Sequence, residues 1–204
     1  ICYLLAIKKK SLMPLILSAI IFSLTYYTYH GNHVFTSLLL FGLVLFYRQD
    51  MVKIPRFWIA VGTGTILTLI ILLATFSADH TKISGISIFG DPTVIHNQIE
   101  LPRQEHANPQ SLAARLTHNR FTYAVVTIFQ NYLRSYGPDF LFIKGGGNRA
   151  HNIEGYGNLH PIEAPLLLLG IVWLISAFQK KEAKLVIWWL AIGAVAAAIT
   201  KDAP

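Results

Sequence analysis

Charge is scarce in this sequence, and cysteine is nearly absent. Only 13% of its 204 residues are Asp, Glu, Lys or Arg. Soluble domains carry about twice that share. With 53% hydrophobic residues and a mean hydropathy of +0.48, this scarcity argues for a membrane protein. The single cysteine, Cys2, excludes an intrachain disulfide and a cysteine-rich zinc site. Acidic residues are the scarcer sign, 10 against 17 basic ones, for a formal charge of +7. The cations come in short runs between apolar segments, so the basic excess points away from nucleic acid. The sequence has no Gly-Lys-[Ser/Thr] phosphate loop, no His-Glu-x-x-His and no Gly-x-Ser-x-Gly. It also has no initiator methionine and no signal-peptide layout. It opens inside an apolar segment and stops just after another, which predicts an internal fragment of a longer polytopic protein.

What is abundant is apolar sequence in runs. Residues 1–7 read as the end of a span, and Lys8, Lys9 and Lys10 follow. Residues 12–29 suffice to cross about 30 Å of hydrocarbon at about 1.5 Å per residue. Tyr26, Tyr27 and Tyr29 mark the far end as an aromatic belt would. A polar break at 28–33 precedes 34–47, which is apolar but short for a span, so it either begins in the break, tilts little or is partly re-entrant. Arg48, Lys53 and Arg56 come next, then a full-length run at 57–76, in which Gly62 and Gly64 would permit close helix packing. After a long polar region, 164–178 and 185–199 read as spans separated by Lys180, Lys181 and Lys184. Basic clusters on the cytoplasmic side put the break at 26–33, the region 77–159 and the C-terminal TKDAP on the outer face. The predicted fold is all-α: a polytopic membrane helical bundle with a long, partly helical outer-face loop. Its divisions are membrane helices at 1–76, the outer loop at 77–159 and C-terminal membrane helices at 160–204.

The loop has local signals of its own. Residues 83–89 alternate like a short strand, and Gly90-Asp91-Pro92 reads as a turn. Ser111 is a candidate helix cap. From Leu112 through Leu116, Tyr123, Val126, Phe129 and Leu133 the apolar positions form a helical stripe interleaved with Arg115, Arg120 and Arg134. This predicts amphipathic helices at the outer interface with aromatic residues toward lipid. A packed soluble subdomain would give the same pattern.

The chemistry-bearing residues concentrate at 136–163, YGPDFLFIKGGGNRAHNIEGYGNLHPIE. Lys144 and Arg149 flank Gly145, Gly146 and Gly147, and His151, His160 and Glu163 follow before an apolar run. Cations and glycine-exposed backbone N–H groups suit a phosphate or phosphosugar. His118 and Arg120 add donors from an upstream part of the same loop. A solvated surface turn is the competing reading. Glu163, at the head of a membrane helix, serves either function or simple interfacial capping. The 8 histidines show no metal-ligand spacing, so no metal site is assigned.

Three stretches carry a resemblance: YHGNHVFTSLLLFGLVLFYR, then HNRFTYAVVTIFQNYLRSYGPDFLFIKGGGNRAHNIEGYGNLHPIEAPLLLLGIVWLI, and the closing AAITKDAP. Together they resemble bacterial membrane glycosyltransferases of the GT-C fold. That group is related to dolichyl-phosphate-mannose–protein mannosyltransferases and the lipid-A aminoarabinose transferase. The resemblance implies a multi-pass enzyme of the bacterial inner membrane. It would move a sugar from a polyprenyl-phosphate carrier to a glycan, lipid or protein acceptor on the outer face. The polar groups of the outer loop, Lys144, Arg149, His151, His160, Glu163, Arg120 and His118, are on their own chemistry the candidates for binding such a substrate. The acidic catalytic residue of such enzymes would lie before Ile1. The break departs from the family pattern, with no arginine near His33. No cofactor is expected, and a divalent metal stays open. An O-antigen ligase or polymerase is the alternative. A transporter or flippase fits less well, because the spans carry almost no ionisable residues.

Overall fold

The computed structural model describes residues 1–28, 31–78, 87–91, 93–147, 152–153, 155–201 and 203. All regular elements among them are helical, and the bridge pairing Ser87 with Thr200 is their single strand-like contact. The chain forms two compact units, residues 1–80 with 169–196, and 81–168 with 197–204.

The first unit holds Cys2–Lys9, Leu12–Thr28, Gly31–Met51, Phe57–Ala78 and Lys181–Gly193. By length and composition, two helices of the described residues can cross a membrane, Gly31–Met51 and the Phe57–Thr75 part of the fourth. Leu12–Thr28 and Pro161–Ser176 are apolar but shorter. The stretch at 34–47 does begin in the polar break, one of the readings its length left open: Gly31–His33 extend it at the start and Arg48–Met51 at the end. The polar break supplies the first of these turns because its side chains bond internally. His33 stacks on Tyr26 with ring centroids 5.6 Å apart, and its Nε2 lies 2.8 Å from the Tyr26 carbonyl oxygen. Thr25 and Thr36 pair their hydroxyls at 3.0 Å across the same hairpin. The last expected span, 185–199, is instead Lys181–Gly193 followed by a separate turn, Val195–Ala198.

Small residues set the helix spacing. Ser23 is buried between Leu12–Thr28 and Phe57–Ala78. Its Oγ lies 2.9 Å from the Ala19 carbonyl, 3.1 Å from the Gly64 carbonyl and 3.0 Å from Thr68 Oγ1. A Cβ on Gly64 would come 3.2 Å from Ala19 Cβ, so glycine lets these backbones approach. Gly62, expected to act likewise, meets open space. Between Gly31–Met51 and Lys181–Gly193, the Trp188 indole N–H donates to the Leu38 carbonyl at 2.8 Å. The same ring occupies the space where a Cβ on Gly42 would stand.

These contacts place the basic clusters. Lys10 closes the first helix in a left-handed conformation (φ 49°) immediately before the second begins. Tyr3 donates its hydroxyl to the Leu43 carbonyl, which lays the first helix along the end of the third. Arg48, Lys53 and Arg56 surround the turn between third and fourth helices, and Lys181 bonds Asp50 at 2.6 Å. All three clusters therefore collect at one end of this unit. Along Phe57–Ala78, Ile66, Leu69, Ile70 and Leu73 are each more than half exposed. Apolar surface of this extent suits lipid better than water.

The second unit begins its described part at Ser87. Gly90 N–H bonds the Ser87 carbonyl at 2.7 Å and closes a turn at 87–90, just before the expected one; Pro92 of the expected turn and residues 83–86 of the strand-like stretch lie outside the described residues. A helical segment follows, α-helical at Thr93–Ile95 and Leu101–Gln104 and π-helical at His96–Glu100 between them. The long stripe predicted from Leu112 is two helices, Leu112–Thr117 and Arg120–Arg134. Ser111 caps the first as predicted, its Oγ accepting from Ala114 N–H at 3.2 Å. Asn119 splits the stripe: its Oδ1 caps the second helix through Thr122 N–H at 2.9 Å. Its Nδ2 donates back to the Leu116 carbonyl at 2.7 Å and closes the first. Such local side-chain bonds give the backbone an alternative to continuing a helix.

Candidate functional site

The glycine-rich stretch is a built loop. Gly137 N–H turns the chain out of Arg120–Arg134 by bonding the Arg134 carbonyl at 2.9 Å, and a π-helical turn, Asp139–Ile143, follows. Lys144 and Gly145 N–H groups both converge on the Asp139 carbonyl, at 2.6 and 3.3 Å. Gly145 then takes φ +69°, a conformation that disfavours any side chain. A Cβ there would also sit 2.6 Å from the Tyr156 carbonyl oxygen. The returning arm bonds the outgoing one: Leu159 N–H to the Leu141 carbonyl at 2.7 Å, and Asn158 Nδ2 to the Phe140 carbonyl at 3.0 Å. Gly157 passes so close to the Phe142 backbone that no Cβ fits. The arms are thus tied by main-chain bonds that a merely solvated turn would lack.

Lys144 stands at the start of the glycines. Its Nζ lies 3.6 Å from Asp139 Oδ2, and both side chains are about seven-tenths exposed. An ion pair so open to water contributes at most about 1 kcal/mol, so Lys144 can exchange Asp139 for a stronger anion at little cost. Arg149 and His151 lie outside the described residues.

His160 and Glu163 form a cap. Glu163 Oε2 accepts the His160 N–H at 2.7 Å, at the head of the turn Pro161–Glu163 that leads into Ala164–Ser176. The carboxylate satisfies a terminal N–H and sits near the positive end of the helix. The capping role weighed from the sequence is thus the one seen for this carboxylate.

His118 and Arg120 occupy the helix junction. The His118 ring is 6.1 Å from that of His106, centroid to centroid. Nothing in a twelve-residue separation signals that pairing. Among the described residues, no hydrogen bond or ion pair joins His118 or Arg120 to Lys144, His160 or Glu163. The candidates therefore sit at three places: a loop, a cap and a junction. Sequence reasoning also missed Asp139 as the counter-ion of Lys144. Among the described residues, no group of three or more His, Cys, Asp or Glu is placed to hold a metal ion.

A cavity of about 360 Å³ lies in the first unit, between Leu12–Thr28 and Phe57–Ala78. Phe22, Tyr26, Val44, Thr65 and Thr68 are among the residues that line it, and no charged side chain does. Its polar side chains are hydroxyls, those of Tyr3, Ser18, Ser23, Tyr26, Thr65 and Thr68. The loop that carries Lys144 belongs to the second unit. Comparison of the chain with protein-family models, curated proteins and solved structures finds no match.

Proposed function

We propose that this chain is part of a multi-pass glycosyltransferase of the GT-C type in the bacterial inner membrane. The enzyme takes a sugar from a polyprenyl-phosphate carrier and delivers it to a glycan, lipid or protein acceptor on the outer face. The observation that carries the reading is the tied loop, which holds Lys144 beside Gly145 with its backbone fixed and its side chain only weakly engaged. The gathering of all three basic clusters at one end of the first unit supports a cytoplasmic assignment for that end. With that assignment, the alternation of basic clusters along the sequence supports an outer-face reading of the loop.

In the transfer, the acceptor oxygen attacks the anomeric carbon. The bond from that carbon to the carrier phosphate breaks, and the acceptor proton passes to a base. Negative charge grows on the departing lipid phosphate, where preorganised cations contribute most. We assign that role to Lys144, with Arg149 and His151 as the sequence suggests. The base is assigned to no residue of this chain. The test is transfer from the lipid donor by the full-length protein. Lys144→Ala and Arg149→Ala each lower kcat/KM roughly ten- to a hundred-fold, from the ~1.5–3 kcal/mol of one charge-assisted contact. Unchanged kinetics in both would reduce the loop to a surface feature.

A further inference from the structure

The helix Arg120–Arg134 leaves its large apolar residues outside and buries an asparagine. Its one buried residue is polar. Asn131 is buried at 8% exposure, and its Nδ2 donates to the Ala198 carbonyl at 3.1 Å. Ser135 just beyond is buried at 7% and bonds the Asn131 carbonyl at 2.9 Å. The outward face carries Phe121, Val125, Phe129 and Leu133, one per turn at steps of four. These are 78%, 51%, 60% and 52% exposed. Leu112 and Leu116 on the preceding helix are exposed as well.

Two observations say what covers this face. First, no acidic residue occurs between Glu105 and Asp139, while Arg115, Arg120 and Arg134 all lie there and are exposed. A surface of apolar residues and arginines, without carboxylates, complements acyl chains edged by phosphates. Second, the unit is continuous in sequence with a membrane-length helix before it, Phe57–Thr75, and it contains the start of the apolar helix Ala164–Ser176. We infer that Arg120–Arg134 lies in the plane of the bilayer–water interface. Phe121, Val125, Phe129 and Leu133 enter the acyl chains, and the arginines reach back to lipid phosphates. A helix so placed sits about 5–10 Å into the headgroup boundary. The glycine-rich loop starts a few residues after this helix, so the helix also fixes the loop at phosphate depth. The inference stands whether or not the enzyme transfers sugar.

The test is nitroxide accessibility in the full chain reconstituted into phosphatidylcholine vesicles. Single labels replace Phe121, Phe129 or Arg134 on a Cys2→Ser background; all three positions are exposed, so the label needs no core space. Labels at Phe121 and Phe129 should be open to oxygen and shielded from a water-soluble nickel chelate. Their oxygen-to-chelate ratio should exceed that at Arg134 several-fold. A label at Phe129 as open to the chelate as one at Arg134 overturns the inference, because the face then meets water. Shielding from both reagents also overturns it, because protein, such as a second copy of the chain, then covers the face.

Discussion

Lys181 places its Nζ 2.6 Å from Asp50 Oδ2, across 131 residues of sequence. Lys53 approaches the other oxygen of the same carboxylate at 3.2 Å. One acid thus holds cations from two of the three basic clusters on one side of the first unit. A surface pair of this kind is screened by water and contributes little to stability, so its value lies in what it reports about topology. Single cysteines at Lys53 and Lys181 should both resist a membrane-impermeant maleimide in intact cells, and one at Gly146 should react. Labelling of only one of the first two would break the shared end apart.

The Gly42–Trp188 contact gives a stability prediction. The indole fills the space beside Gly42 while bonding the Leu38 carbonyl. Gly42→Ala should cost roughly 1–3 kcal/mol through overpacking. It should be seen as a lower melting temperature in detergent, and Trp188→Ala should be less destabilising in the Gly42→Ala background than alone. Simple additivity of the two changes would mean the ring has room to move.

Gly157 offers a separate handle on the loop. A methyl group there has nowhere to go against the Phe142 backbone, so Gly157→Ala should part the arms. Hydrogen exchange at the Leu159 amide, bonded at 2.7 Å to the Leu141 carbonyl, should then accelerate. Gly147→Ala should leave it unchanged, because nothing lies within 4 Å of a Cβ there. Equal effects of the two substitutions would contradict a tied loop.

Asp91 supplies a pH signature outside the membrane. Its carboxylate accepts the Thr93 N–H at 2.9 Å and the Thr93 hydroxyl at 2.7 Å, bonds that hold its pKa below the usual 3.8. The folded state thus favours the ionised form. The resulting stabilisation is complete above the unfolded value and fades as pH falls through the lower folded value. NMR titration should place the Asp91 midpoint below 3.8, with Thr93→Ala moving it upward. A midpoint indifferent to Thr93 would rule out the hydroxyl bond as a cause of the shift.

Much of the fold was legible because apolar runs and basic clusters are one-dimensional signals. The Ser111 cap and the close approach at Gly64 were readable for the same reason: each depends on a residue type with one strong local use. The break at Asn119 was not, because the apolar stripe continues through it and only the side-chain bonds show the split. The start of Gly31–Met51 inside the polar break was one of several readings left open, because Asn32 and His33 look like loop residues until Tyr26 and Thr28 are seen to satisfy them. In the candidate site, Lys144 and the need for glycine were visible. The fixed geometry was not, because it comes from bonds between arms more than fifteen residues apart in sequence, such as Asn158 to Phe140.

The central claim is that the loop around Lys144 holds the phosphate of a lipid carrier, and equilibrium binding tests it most directly. The full-length protein in detergent would be titrated with a polyprenyl phosphate, with the uncharged polyprenol as control. The account predicts tighter binding of the phosphate, with Lys144→Ala and Arg149→Ala each weakening it roughly ten- to a hundred-fold, from one lost charge-assisted contact. Polyprenol binding should not change. Equal affinity for phosphate and alcohol, or full phosphate affinity in both variants, would contradict it.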